Sequence, residues 1–335
     1  MAYAVGIAGA TGVVGQEVIR LLEERRFPVS GLRLWASSRS AGTTVSFRGE
    51  EVPVEDLSVS PAEGVDILFS AVGDKLSREV VPRAVQAGAV VIDKSSVFRL
   101  QEGVPLVVPE VNPQDLAHHR GIVASPNCST IQLVVALRPL QEAAGLERVV
   151  VSTYQSVSGT GREALEELDA QTRQVLEGGE PRPTVYPHPI AFNLFPHIDV
   201  FDESGYCREE WKLIRETRKI LHLPGLPITC TVARVPVRVG HAEAVWVRTR
   251  RPLPVAEARA VLAAAPGVKV VDEPMQARYP TPLMAAGRDE VLVGRIRADV
   301  DDEQALWLWV VADNLRKGAA TNAVQIAELL TKTPW

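Results

Sequence analysis

The sequence predicts an α/β protein in which a doubly wound parallel-sheet domain is joined to an α+β domain with a mostly antiparallel sheet. Three observations carry this. A short apolar strand runs straight into a glycine-rich turn and then an amphipathic helix within residues 4–24. Strands and helices then alternate, as in a parallel sheet with right-handed crossovers. After about residue 150 the pattern changes to long strands with few helices between them, which favours antiparallel pairing. With 335 residues the chain has room for two cores. We expect residues 1–127 with 314–335 to form the first domain and residues 128–313 the second.

Ala4 to Ala8 is the first strand, and Gly9-Ala10-Thr11-Gly12-Val13-Val14-Gly15 is the turn. Gln16 to Glu24 carries helical spacing, with Val18, Leu21 and Leu22 on one face. Glycines in such a turn let backbone amides approach a pyrophosphate at the helix N-terminus. The spacing Gly-x-x-Gly-x-x-Gly is a variant of the Rossmann-type dinucleotide fingerprint. Its strand and helix flanks separate it from a purely structural turn. Gly9, Thr11, Gly12, Val13 and Val14 are therefore expected at a cofactor.

Leu32 to Ala36 is the second strand. An NAD-selective site usually follows it with a carboxylate for the ribose hydroxyls. Here Ser37-Ser38-Arg39-Ser40 follows, and an arginine among hydroxyls suits a 2′-phosphate. Ser38, Arg39 and Ser40 thus point to NADP over NAD. Val65 to Val72 and Ala89 to Asp93 are further strands, around a helix from Leu76 to Ala87 that ends with Gly88 at C′. Ser70 to Gly73, at a strand's carboxyl end, is expected near the cofactor.

Ser125-Pro126-Asn127-Cys128-Ser129-Thr130 lies between an apolar run, Gly121 to Ala124, and helical spacing at Ile131, Val134, Val135, Leu137 and Leu140. That puts Cys128 at a helix N-terminus, where free amides and the helix dipole stabilise a thiolate. A lone cysteine is ordinarily a small buried hydrophobe. Cys207 and Cys230, with no helix-start context, are read that way. A thiolate nucleophile on a nicotinamide-binding chain points to interconversion of an aldehyde and an acyl derivative through a thioester.

Beyond it, Val149 to Tyr154 is strand-like and Gly161 to Glu177 helical. Gly178 to Pro196 is a proline-rich excursion, and Glu209 to Leu221 a helix. Ile228 to Val239 and Ala242 to Arg250 read as strands separated by Gly240-His241, and Pro254 to Ala265 as a helix. Strands follow at Val268 to Val271, Val291 to Ala298 and Ala305 to Val311. A last helix, Gly318 to Leu330, begins near Asn314 and is expected to return to the first domain.

The composition excludes several classes. A net charge of −5 argues against a general nucleic-acid binder. Three scattered cysteines make neither a disulfide framework nor a metal site. No apolar run reaches the ~20 residues of a membrane span, and no signal peptide is seen. A reducing, cytoplasmic compartment fits.

The glycine turn, Ala36 to Gly42, Ser125 to Thr130, Gln155-Ser156-Val157-Ser158-Gly159, Glu209 to Lys212 and Arg234 to His241, taken in this order, resemble aspartate-β-semialdehyde dehydrogenase over essentially the whole chain. The resemblance implies that Cys128 forms the acyl-enzyme and His241 is its general base and acid. It implies that Gln155, Glu209 and Arg234 bind the substrate, Arg234 through a bidentate carboxylate pair and Glu209 through the ammonium. Arg99, Asn127 and Lys212 would bind phosphate, although Glu209 and Lys212 also fit a simple i,i+3 pair on one helix face. Ser158, Gly159 and Asn314 would join the cofactor site. The Cys128 amide and the Asn127 side chain are candidate oxyanion donors. The implied reaction is NADP-dependent, phosphate-releasing reduction of aspartyl 4-phosphate to aspartate 4-semialdehyde. It serves lysine, diaminopimelate, threonine, methionine and isoleucine biosynthesis, in a homodimer or a dimer of dimers.

Two rivals remain. N-acetyl-γ-glutamyl-phosphate reduction uses the same chemistry, but Glu209 would have no ammonium to meet. A non-catalytic NADP-binding homologue would need neither Cys128 nor His241.

Overall fold

The computed structural model describes residues 2–59 and 62–332. These divide into two compact units, one running up to Asn127 and resuming at Ala319, the other spanning Cys128–Gly318. The expected division put residues 314–318 with the first unit. They belong to the second because Asn314 is bonded into it, as described below. Residues 333–335 of that expected segment lie outside the described residues.

The first unit opens with β1 (Tyr3–Ala8), α1 (Val13–Glu24), β2 (Val29–Ala36), β3 (Thr44–Phe47) and β4 (Glu50–Asp56). It continues with β5 (Ile67–Ser70), α2 (Asp74–Gln86), β6 (Val90–Asp93) and β7 (Ile122–Ala124). Among the described residues these strands form a seven-stranded sheet in the order β3-β4-β2-β1-β5-β6-β7. All neighbours are parallel except β3 and β4. That hairpin was not expected. Arg48 and Gly49 turn it with φ of 53° and 82°, as a two-residue primed turn requires.

Strand order reverses between β1 and β5, and the glycine turn leaves β1 at this switch point. Its tightness explains two of the glycines. Gly9 has φ +88° and a Cβ there would lie 2.6 Å from Ala71 O. A Cβ on Gly15 would lie 2.2 Å from Gly9 O. Val5, Ile7, Leu21, Leu22, Ile67 and Phe69 pack in one core with Val324, Ile326 and Leu330 of the C-terminal helix. Burial of each such side chain contributes roughly 1.5–3 kcal/mol. The Asn322 amide locks the helix down by donating to Val107 O and Ser125 Oγ, at 3.0 and 3.1 Å.

The second unit begins with α3 (Cys128–Ala144), β8 (Leu146–Gln155), α4 (Arg162–Leu176), α5 (Arg208–Ile220), β9 (Ile228–Arg234) and β10 (His241–Thr249). It goes on with α6 (Val255–Ala264), β11 (Val268–Val270), α7 (Pro282–Ala285), β12 (Val291–Ala298) and β13 (Ala305–Ala312). A π-helical turn, Arg316–Ala320, then leads to α8 (Thr321–Lys332), the helix of the first unit. The sheet runs β11-β12-β13-β10-β8-β9. Its inner neighbours are antiparallel, and β11·β12 and β8·β9 at the edges are parallel. This is the mostly antiparallel sheet the sequence predicts.

One local expectation fails. The strand read as Ile228 to Val239 stops at Arg234, and His241 is the first residue of β10, not a turn residue. Pro236 has no amide for a ladder, and Gly240, at φ +97°, turns the chain out of line. The strand β8 lies between β9 and β10.

Candidate active site

Strand order assembles the site in the second unit. At the end of β8, Gln155 pairs with Arg234 of the parallel β9. On the other side Tyr154 pairs with Ala242 of the antiparallel β10, which brings His241 level with Gln155. Arg234, Gln155 and His241 therefore form one row across three strands, although Arg234 and His241 are seven residues apart in a chain that never forms a hairpin there.

The helix α3 brings Cys128 to the row. Ser129 to Leu137 are all buried, and a helix buried all round is fixed by packing. Its first-turn amides have no intrahelical acceptor. Cys128 Sγ lies 3.2 Å from His241 Nε2, and the thiol is in no disulfide. Small residues surround the pair. A Cβ on Gly159 would come within 3.3 Å of His241 Cε1 and Nε2, and one on Gly318 within 3.1 Å of Cys128 Cβ.

His241 is fully buried, and the backbone N–H of Ser156 donates to its Nδ1 at 3.1 Å. Burial, reinforced by the positive charge of Arg234, holds its pKa well below the ordinary imidazole value. Behind the ring, Asn314 Oδ1 accepts from Ser156 Oγ at 3.0 Å and from Gly240 N at 2.9 Å, while Nδ2 donates to Ser158 Oγ at 2.9 Å. Ser158 and Asn314, expected at the cofactor, are thus enclosed as the support of His241, at 3% and 2% exposure.

Arg234 Nη1 donates to Ser156 O at 2.6 Å, and its Nε is enclosed with no hydrogen-bond partner. The ring of Tyr186, which the sequence did not single out, has its centroid 5.8 Å from the guanidinium. Tyr186 also donates its hydroxyl to Thr160 Oγ1 at 2.8 Å. Its segment belongs to the proline-rich excursion, which α4 pins. Glu167 accepts from Thr184 N at 2.8 Å and from Val185 N, and Gln171 Oε1 accepts from Ile190 N at 2.8 Å. Gln155 Nε2 donates to Thr153 Oγ1 at 3.3 Å.

On α5, Lys212 Nζ donates to Glu209 Oε2 at 3.2 Å and to Asp199 Oδ2 at 3.0 Å. The i,i+3 pairing is thus present, with Asp199, 13 residues before Lys212 and without a local signal, as a third member. Burial opposes the Lys212 charge, but the two carboxylates outweigh it and raise its pKa.

The remaining expected residues lie in the first unit. Arg99, itself buried, donates Nε to Ser125 O at 3.0 Å and Nη2 to Lys94 O at 2.6 Å. Asn127, also buried, directly precedes Cys128. Thr11 Oγ1 donates to Ser40 Oγ at 3.2 Å, joining the glycine turn to the segment that carries Ser38 and an exposed Arg39. Gly12 is the N-cap of α1, and its amide bonds back to Gly9 O at 3.0 Å. Val13 and Val14 follow as the first residues of α1, whose first-turn amides have no intrahelical acceptor and are the donors a pyrophosphate would take.

Further along β10 and α3 lies a second polar pair. Glu243 is two residues along β10 from His241 and Gln132 four along α3 from Cys128, and both are fully buried. One helical turn and two strand residues advance similar distances, about 6 and 6.6 Å. Neither the carboxyl oxygens of Glu243 nor the amide atoms of Gln132 have a partner in hydrogen-bond geometry. Burial therefore raises the Glu243 pKa well above the carboxylate range, offset only in part by Gln132.

Among the described residues no three His, Cys, Asp or Glu side chains are grouped to hold a metal ion. Nor is any helix long and apolar enough to cross a membrane.

Comparison with known proteins matches residues 4–119 to the semialdehyde dehydrogenase NAD-binding domain and residues 137–317 to the semialdehyde dehydrogenase dimerisation domain. Aspartate-semialdehyde dehydrogenase of Aquifex aeolicus is 53% identical over 336 residues, covering 99% of both chains. The crystal structure of aspartate semialdehyde dehydrogenase II from Vibrio cholerae, complexed with ASA, superposes with TM-score 0.97 at 46% identity over 100% of both chains. The enzyme from Candida albicans, solved with NADP, superposes with TM-score 0.76 at 28% identity over 99% of both chains.

Proposed function

Because the chain belongs to the aspartate-semialdehyde dehydrogenase family, we propose that it reduces L-aspartyl 4-phosphate to L-aspartate 4-semialdehyde, with NADP as cofactor and a thioester on Cys128. The observation that carries this reading is the 3.2 Å approach of Cys128 Sγ to His241 Nε2, beside Arg234 and Gln155 in one row. The thiolate attacks the acyl carbon and phosphate departs. Arg234 grips the substrate α-carboxylate with its unpartnered Nε edge, and Gln155 orients the carbonyl. Glu209 meets the ammonium. Lys212, Arg99 and Asn127 are the phosphate ligands of this reading, with Cys128 N–H and the Asn127 amide as oxyanion donors.

The turn Gly9 to Val14, with Ser38, Arg39 and Ser40, would hold NADP; Ser158, Gly159 and Asn314 would contribute from the second unit, Ser158 and Asn314 indirectly through His241's support. When bound, the reduced nicotinamide supplies the hydride. The Candida albicans relative solved with NADP supports NADP over NAD, as does the absence of a carboxylate among Ser37 to Ser40. The dimerisation-domain match supports a homodimer or a dimer of dimers. The product would feed lysine, diaminopimelate, threonine, methionine and isoleucine synthesis in the cytoplasm.

The test is phosphate-dependent NADP reduction with aspartate semialdehyde, run beside N-acetylglutamate semialdehyde. Activity is expected with the first only. Cys128→Ala should lose at least roughly 10³-fold in turnover while still binding NADPH by fluorescence. Activity on the second substrate would move the substrate assignment. NADPH binding without activity on either would favour the non-catalytic homologue.

A further inference from the structure

Arg234 is held from three directions. Its backbone pairs with Phe195, whose N–H donates to Arg234 O at 3.2 Å and whose carbonyl accepts from Arg234 N at 2.9 Å. Its Nη1 donates to Ser156 O at 2.6 Å. Gly159 leaves room there, since a Cβ on it would lie 3.4 Å from Nη1. The third direction is the ring of Tyr186, whose centroid is 5.8 Å from the guanidinium carbon. That is within the range over which an aromatic face attracts a cation.

Tyr186 is itself fixed. Its hydroxyl donates to Thr160 Oγ1 at 2.8 Å, and its ring meets that of Phe195 edge-on, with centroids 5.5 Å apart. It packs against a small core that includes Val157, Leu168 and Ile190. The helix α4 anchors the backbone on both sides. Glu167 accepts from Thr184 N at 2.8 Å, and Gln171 Oε1 accepts from Ile190 N at 2.8 Å. Between these anchors Pro187 and Pro189 restrict φ. One short segment thus delivers Phe195 to the backbone of Arg234 and Tyr186 to its side chain.

A guanidinium offers a carboxylate two parallel N–H bonds only in its own plane. With Nη1 committed to Ser156 O, the edge left is the one that carries Nε, and that atom is enclosed without a partner. A side chain as long as arginine loses much rotamer freedom when such an edge is held in place, so whatever holds it beforehand favours binding. We propose that Tyr186 is a positioning residue for Arg234, its ring holding the guanidinium with the Nε edge turned to the substrate α-carboxylate. This rests on the assignment of Arg234 to that carboxylate. The ring touches no reacting atom. Tyr186 therefore governs how well the carboxylate is held, not how fast the acyl group reacts.

The test uses the full-length enzyme and two substitutions. Tyr186→Leu removes the ring, whereas Tyr186→Phe keeps it and loses only the bond to Thr160. In Tyr186→Leu the Michaelis constant for aspartate semialdehyde should rise roughly 3- to 30-fold. Turnover at saturation should stay within about twofold, and the constants for NADP and phosphate should not move. Tyr186→Phe should bring the semialdehyde constant back to within about twofold of the parent. An unchanged constant in Tyr186→Leu, an equal rise in Tyr186→Phe, or a fall in turnover with all three constants disturbed would each overturn the proposal.

A second readout needs no substrate. In enzyme labelled with 15N-arginine, the Nε–H signal of Arg234 is identified by its loss in Arg234→Lys. Its exchange with water should be slow in the parent and in Tyr186→Phe, and at least roughly tenfold faster in Tyr186→Leu. Equal exchange in the parent and Tyr186→Leu would overturn the proposal whatever the substrate. The expected exchange pattern in an enzyme inactive on aspartate semialdehyde would instead overturn the substrate assignment alone.

Discussion

The glycine turn of the first unit and the Arg234–Gln155–His241 row of the second solve the same problem, holding groups at the end of a sheet, by different means. The turn is made of consecutive residues and of backbone. At Gly9 and Gly15 it admits no side chain, because atoms there would collide with the turn's own surroundings. The row is made of side chains from three strands, and β8 lying between β9 and β10 brings them together. A site of the first kind tolerates no added atom. A site of the second kind tolerates no change of register.

The difference can be pressed at three points. The largest effect is expected at Arg234→Lys. Lysine cannot offer a guanidinium edge, and loss of a charge-assisted bidentate pair costs roughly 1.5–3 kcal/mol. The Michaelis constant for the semialdehyde should rise roughly 10- to 100-fold at that cost, with the constant for NADP unchanged. An unchanged semialdehyde constant would remove Arg234 from the row's function. Next is Gly15→Ala, whose Cβ would overlap Gly9 O. It should lower stability by roughly 1–3 kcal/mol in urea titration and weaken NADPH binding. Alkylation of Cys128 by iodoacetamide should be unaffected; a parallel loss there would mean that the two regions are not independent.

The smallest effect is expected at Glu243→Gln and concerns pH. The Glu243 carboxyl is raised by burial in the folded chain and ionises in the ordinary range when unfolded. Its contribution is therefore complete below the unfolded pKa and is lost as pH rises toward the folded one. Glutamine does not titrate. The variant should gain on the parent as pH rises above about 4, the unfolded carboxyl's range, read as a growing difference in urea midpoints. A difference that stays flat as pH rises would show a charged carboxylate.

The same contrast decides what could be read from the sequence. The glycine turn and the helix start at Cys128 were legible because each is local: periodicity and glycine spacing sit within one stretch of chain. The strand Val291–Ala298 was legible for the same reason, with apolar residues and clear breaks on both sides. The β3–β4 hairpin left only Arg48-Gly49 as a signal, and its exposed, mixed strands hid the alternation. His241 reads as a turn residue in the sequence because nothing local reveals that β8 inserts between β9 and β10. Both faces of β10 carry apolar residues, Val245 and Val247 on one and Ala244 and Trp246 on the other. Alternation therefore could not assign Glu243 to the buried side. Ser156 carries no signal of its own in the sequence, because the group that meets His241 is its backbone N–H, which every residue but proline carries.

The helix α8 is made long after the sheet it completes. Between Asn127 and Ala319 the ribosome must produce the whole second unit, which at bacterial or eukaryotic speeds of 5–20 residues per second takes roughly 10–40 s. Through that interval the nascent first unit lacks Val324, Ile326 and Leu330 from its core. Asn322 is not yet there to cap the carbonyl of Val107. The second unit, continuous in the chain, can close while the first still waits with apolar surface uncovered. An interrupted transcript or a truncated chain therefore yields a half-sealed nucleotide fold. The population at risk of chaperone capture or proteolysis is the growing chain rather than the finished enzyme.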